Sequence, residues 1–262
     1  MSAAANTNVI QLRDVPSVRE TVSPEEWEAR VNLAAAYRLV HLHQWADSIY
    51  NHISMRVPGE PHMFLIKAHE LLYNEVTASN LVKVDMRNDD IDESHHVNKP
   101  GFVLHAGLLQ ARPDVNSCFH THIPSTIAVS NQKEGLQLLS IAAMRFYKEV
   151  GYHDFEGITE DLEERERIAG ALGTKTTLLM RNHGAVTVGK SVRDAYELMK
   201  ALSEACDLQL RQQAAGVEFV QPGEDVLDRT RQQRLGHDSG RGSADWPANL
   251  RKLDMIDPGY RD

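Results

Sequence analysis

Two short segments contain histidines whose spacing could hold a metal ion. His120 and His122 lie two residues apart at the end of an apolar stretch. If that stretch is a β-strand, both imidazoles project from the same face of it. His183 follows a second apolar stretch, residues 177–180, and could supply a third nitrogen. Three protein ligands with an open fourth position are typical of a catalytic metal site rather than a structural one. The alternative is an accidental His-x-His in a chain with 13 histidines.

The composition is that of an ordinary globular protein, and it disfavours two classes of partner. The chain has 262 residues, enough for one large domain or two small ones. Hydrophobic residues make up 42% and charged residues 25%, as in typical globular domains. The net charge of -9 disfavours nucleic acid and anionic membranes as main partners, because both require a basic surface.

Cysteine usage and the N-terminal sequence predict a cytoplasmic protein. Cys118 and Cys206 lie in apolar surroundings and are interpreted as buried thiols in a reducing compartment. Residues 1–20 contain no apolar run of the signal-peptide type. No stretch of the sequence reaches the length of a transmembrane helix.

The pattern of apolar residues predicts an α/β domain with a mixed sheet. The clearest helix start is at Ser23-Pro24-Glu25-Glu26, where a capping serine precedes proline and a glutamate lies three residues after the cap. Helices are predicted at 23–45, 101–112, 124–131, 159–173 and 191–214, and strands near 53–57, 62–66, 81–85, 115–122, 177–180 and 185–188. Residues 138–147 fit either type.

The predicted organisation is one domain, residues 23–216, with an extension at each end. Residues 1–22 are predicted to be a flexible arm. Residues 217–262 are polar and interrupted by proline and glycine, with Trp246, Leu250 and Leu253 as sizeable apolar anchors. We interpret this segment as an extended C-terminal arm that packs on the body or on a neighbouring subunit.

Four motifs give the chain a resemblance to a known family. They are Tyr50-Asn51-His52-Ile53-Ser54-Met55-Arg56, Arg112-Pro113-Asp114-Val115-Asn116, His120-Thr121-His122 and Arg181-Asn182-His183-Gly184-Ala185. Their order and spacing resemble the class II aldolase/adducin family over about residues 25–215. The resemblance is strongest to an adducin-like bacterial branch of that family.

This resemblance implies a fold, a cofactor and an assembly. The fold is an αβα sandwich with a central, mostly antiparallel sheet. The cofactor is a divalent metal, zinc first and manganese as the alternative, at the positions matching His120, His122 and His183. In the sugar-phosphate aldolases of the family, the metal polarises substrate oxygens and a glutamate moves the proton. Family members are commonly tetramers with active sites at subunit interfaces, so a homotetramer is expected.

The chain departs from the aldolases at the residue that moves the proton. When His105 is aligned with the family histidine of the preceding helix, the glutamate position falls on Gly101, which has no side chain. A general acid/base group typically contributes about 10²–10⁴-fold to the rate. The substitution therefore argues against the usual aldolase mechanism. His105 itself is predicted to support the metal ligands from behind rather than to bind the ion.

The phosphate-binding segments of the aldolases are also altered. Lys99-Pro100 replaces a serine pair, and Pro100 offers no N–H to an anion. Glu70, in a neighbouring loop, would repel an anion. We therefore expect an unphosphorylated small-molecule substrate. Asn51, His52 and Ser54 are expected to line the end of the site where this substrate binds.

The missing glutamate favours chemistry that requires only a proton donor after the carbon–carbon bond breaks. Tyr147 and His153 are the candidate donors, with a role as helix caps or backbone partners as the structural alternative. The leading hypothesis is a metal-dependent carbon–carbon lyase, decarboxylase or aldolase-like, that acts on a small unphosphorylated hydroxy or keto acid. The second hypothesis is a non-catalytic, adducin-like interaction module, although the lysine-rich tail of adducins is absent here. A sugar-phosphate aldolase or epimerase is the third.

Overall fold

The structure is a computed structural model that describes residues 15–91, 93–158, 162–240 and 244–262. The arm predicted at residues 1–22 lies mostly outside these ranges. The same holds for Thr159, where a helix was expected to begin. The division of the chain into a domain and two extensions stays a prediction.

Seven strands of the described residues form one sheet in the order β3-β2-β1-β4-β7-β6-β5. They are β1 (His52–Val57), β2 (Glu60–Lys67), β3 (Leu81–Asp85), β4 (Ser117–Thr121), β5 (Val150–His153), β6 (Thr177–Met180) and β7 (Gly184–Gly189). Neighbouring strands are antiparallel except for β5 and β6. The predicted mostly antiparallel sheet is confirmed, with β4 at its centre.

Helices pack on both faces of this sheet, which confirms the αβα sandwich. The described ranges contain α1 (Pro24–Leu42), α2 (Lys99–Ala111), α3 (Pro124–Ser130), α4 (Ile141–Met144), α5 (Glu164–Leu172), α6 (Val192–Ala214), α7 (Glu224–Gly240) and α8 (Asp245–Ile256). None of these helices is both long and apolar enough to cross a membrane.

Alternation along the central strand divides the core into two layers. Phe119 of β4 belongs to the hydrophobic cluster that includes α1 and α6. Cys118 points the other way and packs in the cluster that includes Phe102 of α2. Because side chains two apart share a face, His120 lies on the α2 side of the sheet.

Side-chain caps define where the principal helices begin. Ser23 and Ser191 each accept a hydrogen bond from the backbone N–H three residues on, at 3.1 and 3.2 Å. Asn98 accepts one from the Gly101 N–H at 3.2 Å, so α2 begins two residues before the predicted start. Satisfying these otherwise unpaired N–H groups stabilises a helix by about 1 kcal/mol per cap.

The segment after residue 216, to which no helices were assigned from sequence, contains α7 and α8. Trp246, Leu253 and Tyr260 are buried in the cluster that also contains residues of α1. The Trp246 indole N–H donates to the Asn32 side-chain oxygen at 2.8 Å.

Candidate active site

β4 and the residue after it position the first two histidines. His120 is paired with His52 on β1 and with Val186 on β7, so its backbone is held on both sides. His122 comes just after the strand ends. The side-chain nitrogens of His120 and His122 face each other, with 3.1 Å between the two Nε2 atoms.

The turn between β6 and β7 brings His183 to the same place. The His183 N–H donates to the Met180 carbonyl at 3.2 Å, and Asn182 adopts a left-handed φ of 58°. Asn tolerates this conformation better than most residues. The His183 ring centroid lies 5.0 Å from that of His120 and 4.9 Å from that of His122. One nitrogen from each of the three rings lies within 4.8 Å of the others, and the predicted convergence is thus present.

Hydrogen bonds orient two of these rings. Nδ1 of His120 lies 3.1 Å from the Ala185 carbonyl oxygen, and Nδ1 of His122 lies 3.1 Å from an Asp47 carboxylate oxygen. When Nδ1–H donates to such an oxygen, the Nε2 lone pair is free to bind an ion, as in carboxylate–histidine–zinc arrangements. Asp47 was not singled out from the sequence, because nothing in the pattern links it to His122.

The chemistry of this donor set fits a divalent metal. Two Nε2 lone pairs facing each other repel unless a proton or a cation lies between them. Tetrahedral zinc with Zn–N bonds of about 2.0–2.1 Å would separate its nitrogens by about 3.3 Å, close to the 3.1 Å between His120 and His122. Burial lowers the pKa of His120 well below its usual value, and burial together with His122 lowers the pKa of His183 to about 4. These two imidazoles are therefore neutral at pH 7, as ligation requires.

The three histidines form part of the wall of a pocket of about 310 Å³. Asn51 and His52 from the β1 end and Asn98 and Pro100 from the α2 end also line it. The remaining lining residues are mostly apolar: Tyr50, Leu104, Phe155, Gly157 and Ile158. None of these lining residues is an aspartate or glutamate, so the described wall suits an anion or a neutral oxygen ligand.

Behind the pocket lies a buried hydrogen-bond chain that sequence reasoning did not assemble. His52 Nδ1 is 2.9 Å from His105 Nε2, and His105 Nδ1 is 2.5 Å from the Ser54 hydroxyl. His105 and Ser54 are fully buried, and neither lines the pocket. Ser54, predicted at the substrate end, therefore supports the pocket wall from behind. His105 forms its hydrogen bond with His52 and not with one of the three converging histidines.

Neither of the two predicted proton donors, Tyr147 and His153, is among the residues that line this pocket. The Lys148 ammonium lies over the Tyr147 ring, 4.5 Å from the ring centroid. His153 is buried and lies 3.3 Å from the Glu164 carboxylate, in a small cleft behind His183. Their roles as donors stay predictions.

Comparisons with known proteins agree with this architecture. Residues 31–210 match the family model described as "Class II Aldolase and Adducin N-terminal domain". A Caulobacter vibrioides protein, provisionally named as an aldolase class 2 protein, is 41% identical over 248 residues, or 94% of this chain and 96% of that protein. Alpha-adducin of Rattus norvegicus is 39% identical over a 277-residue alignment that covers 100% of this chain and 37% of the adducin.

Solved structures show the same fold. An aldolase II superfamily protein from Pseudomonas syringae has a TM-score of 0.87 at 45% identity, covering 94% of this chain and 99% of that one. L-fuculose 1-phosphate aldolase from Glaciozyma antarctica PI12 has a TM-score of 0.77 at 23% identity, covering 97% and 99%. At this lower identity, the likeness is one of fold alone.

Proposed function

Since the chain belongs to the class II aldolase/adducin family, we propose that it is a divalent-metal-dependent carbon–carbon lyase. Its substrate is a small unphosphorylated hydroxy or keto acid, and the reaction is a decarboxylation or an aldolase-like cleavage. The observation that carries the proposal is the convergence of three imidazoles on the wall of a pocket of about 310 Å³.

His120, His122 and His183 would hold the metal, with Zn²⁺ the first choice and Mn²⁺ the alternative. A divalent ion held there would supply Lewis-acid stabilisation of negative charge on substrate oxygens. The apolar side chains of Leu104 and Phe155 limit water in the pocket, and a drier pocket strengthens every polar interaction within it.

The charges around the pocket favour an anionic substrate. Lys67 lies beside Asn51 and His52 in a small adjoining cavity. Its ammonium donates to the carbonyls of Ala68 and His69 at 3.3 and 3.0 Å. Glu70 is not among the residues that line the pocket, and its carboxylate lies 2.8 Å from a His96 ring nitrogen. A carboxylate in the pocket would meet histidine rings without an opposing acidic side chain in the described wall.

The absence of a side chain at Gly101 favours decarboxylation over the usual aldolase reaction. Decarboxylation removes no proton from carbon and requires only that one be delivered afterwards. Pro100, which lines the pocket, offers no backbone N–H for a phosphate, and this supports an unphosphorylated substrate.

A second candidate function is a non-catalytic interaction module, favoured by the 39% identity to alpha-adducin. The three converging imidazoles support the enzyme instead, because a scaffold has no physical need of them. A sugar-phosphate aldolase or epimerase is a third and weaker candidate.

Metal analysis followed by a substrate screen tests the proposal. Protein purified without chelator is expected to contain about one divalent ion per chain. The ion should be lost in His122→Ala but retained in His62→Ala, which alters an exposed histidine on β2, with unchanged circular dichroism in both. The metal-loaded protein should release carbon dioxide or an aldehyde from a panel of hydroxy and keto acids.

Three outcomes would contradict the proposal. Failure to bind zinc stoichiometrically, even after zinc is added, would favour the interaction module. Turnover of L-fuculose 1-phosphate would favour the sugar-phosphate enzymes. Equal product release by wild type and His122→Ala would show that the reaction does not depend on the metal site.

A further inference from the structure

The space that a side chain at position 101 would occupy is filled by His52. A Cβ built on Gly101 would lie 2.8 Å from Cδ2 and 2.9 Å from Nε2 of His52. It would also lie 2.4 Å from the side-chain oxygen of Asn98, the residue that caps α2. A side chain at position 101 would therefore displace the imidazole of His52.

The chain from Ser54 to His52 determines which nitrogen of His52 carries its proton. The Ser54 hydroxyl is fully buried, and among the described residues its partner is His105 Nδ1 at 2.5 Å. A buried hydroxyl proton requires an acceptor, so Ser54 donates to His105 Nδ1. His105 then carries its proton on Nε2 and donates to His52 Nδ1 at 2.9 Å. His52 consequently carries its own proton on Nε2.

The ring of His52 forms part of the pocket wall. His52 lines the pocket together with Pro100 and Leu104, and its Nε2 lies at the Gly101 edge of the ring. No partner for this nitrogen is found within the described ranges. The donor is therefore available to a ligand while its ring is held by the chain behind it.

The residue before His52 offers a second unsatisfied group. Asn51 is buried, and its side-chain oxygen has no hydrogen-bond partner among the described residues. Its side-chain nitrogen reaches the Trp45 carbonyl at 3.4 Å. Asn51 also lines the pocket. Buried polar atoms without partners are rare in native proteins, and this one points to a ligand with a hydrogen to donate.

We propose that His52 is a substrate-binding residue that replaces the side chain missing at Gly101. Its Nε2–H, kept on that nitrogen by His105 and Ser54, donates to a carboxylate oxygen of the substrate, and the neighbouring Asn51 oxygen accepts from the substrate hydroxyl. His105 and Ser54 are positioning residues. This assignment rests on the proposed function for its ligand class, a 2-hydroxy carboxylate, because such a molecule presents an anionic acceptor and a hydroxyl donor side by side.

The tautomer is measured first, because that measurement needs neither substrate nor turnover. In ¹⁵N-labelled, zinc-loaded protein, long-range ¹H–¹⁵N spectra should show His52 protonated on Nε2 at neutral pH. Ser54→Ala removes the hydroxyl at the start of the chain and should shift His105 and His52 towards a mixture of tautomers. A wild-type His52 protonated on Nδ1 overturns the proposal. So does a His52 spectrum that Ser54→Ala leaves unchanged.

Binding of glycolate, the simplest 2-hydroxy carboxylate, is measured next by calorimetry on the zinc-loaded protein. His52→Leu should weaken binding by about 10- to 100-fold, the usual effect of losing a hydrogen bond to a charged group. His52→Gln, which places an amide N–H near the same point, should retain most of the affinity. Equal affinity in wild type and His52→Leu overturns the proposal.

Gly101→Ala is a third variant, and it has a matched control. The added Cβ must displace His52, so glycolate affinity should fall although the fold and the metal are retained. Gly170→Ala, on the open face of α5 with no atom within 4 Å of its Cβ, should bind glycolate as wild type does. Unchanged affinity in Gly101→Ala counts against the proposal.

These measurements separate the failure of the subsite from the failure of the proposed reaction. If glycolate binds through His52 but no acid is turned over, the subsite stands and the lyase assignment falls. If acids are turned over while His52→Leu binds and reacts as wild type does, the lyase stands and the subsite falls.

Discussion

Gly184 follows His183 and lies so close to Thr121 and His122 that a side chain at this position would clash with them. A Cβ at this position would lie 2.5 Å from the Thr121 carbonyl oxygen and 3.0 Å from Cδ2 of His122. Real Cβ atoms do not come that close to backbone atoms, so the β6–β7 turn would have to move away from β4. His183 precedes Gly184 and would be displaced with the turn.

We therefore expect Gly184→Ala to weaken zinc binding by about tenfold or more, as for other changes that disturb ligand orientation. Competition against a chromophoric chelator measures the affinity. Gly170→Ala is the matched control, because it adds the same methyl group in open space on a helix and should raise stability by up to about 1 kcal/mol. Equal zinc affinity in the two variants would contradict the expected effect.

Lys67 gives the protein a predicted pH dependence. Burial lowers the pKa of Lys67 to about 7, with a smaller opposing effect from Glu70, whereas an unfolded lysine titrates near 10.4. Between these values the unfolded state binds more protons, so the free energy of unfolding should rise with pH. The destabilisation is complete below pH 7 and is removed as the pH approaches 10.

Lys67→Met should reduce the increase in the free energy of unfolding with pH, because methionine fills a similar volume without a charge. Urea unfolding of wild type and variant at pH 6, 8 and 9.5 measures the difference in stability. The variant should gain most at pH 6. A gain that is the same at every pH would show that Lys67 is not held at a lowered pKa.

At the scale of elements, the β6–β7 turn is attached to the end of α3 by the Arg181 side chain and the Asn182 backbone N–H. The Arg181 guanidinium donates to the carbonyls of Ser130 and Gln132, both at 2.7 Å. The Asn182 N–H donates to the side-chain oxygen of Asn131 at 2.6 Å. Carbonyls at a helix C-terminus lack partners within the helix, so the same contacts complete α3 and position His183.

Arg181→Ala should therefore loosen the turn and lower zinc affinity by about tenfold, although Arg181 does not approach the ion. Arg193→Ala is a control, since Arg193 pairs with its neighbour Asp194 at the start of α6, on another element. Both variants should be compared by chelator competition and by thermal unfolding. Unaltered zinc affinity in Arg181→Ala, with unchanged stability, would show that the turn holds its shape without this side chain.

At the scale of the whole molecule, large apolar side chains surround the pocket mouth. Tyr50, Phe155 and Ile158 line the pocket and are 52%, 56% and 76% exposed in the single chain. Exposed apolar patches commonly mark interaction sites. We expect a homotetramer in which a neighbouring subunit covers this region.

Light scattering at micromolar concentration should give a mass four times the 29.4 kDa of one chain. Ile158→Asp should lower that mass, because it places a charge in the buried contact. Val220→Asp changes a residue that is 95% exposed in the tail and should leave the assembly unaltered. A wild-type protein that is monomeric under these conditions would refute the expectation.

The sequence alone was sufficient for features with local causes. Helix α6 is found at the predicted residues because Ser191 caps it and its apolar stripe repeats at helical spacing. Convergence of His120 and His122 follows from the two-residue period of a strand. The β5 strand was not predicted, because its four residues, which include Gly151, are too few to show a clear alternation.

Only the tertiary structure showed which residues from distant segments meet. His52 lies on β1, and Gly101 and His105 lie on α2. No periodicity in the sequence predicts which face of a helix packs against which residue of a strand. The same holds for Asp47 and His122, which share a hydrogen bond but no motif. Local sequence determines the conformation of an element through its own backbone, whereas contacts between elements depend on the packing of the entire core. The convergence of His120, His122 and His183 was therefore predictable, whereas the hydrogen-bond chain that orients His52 was not.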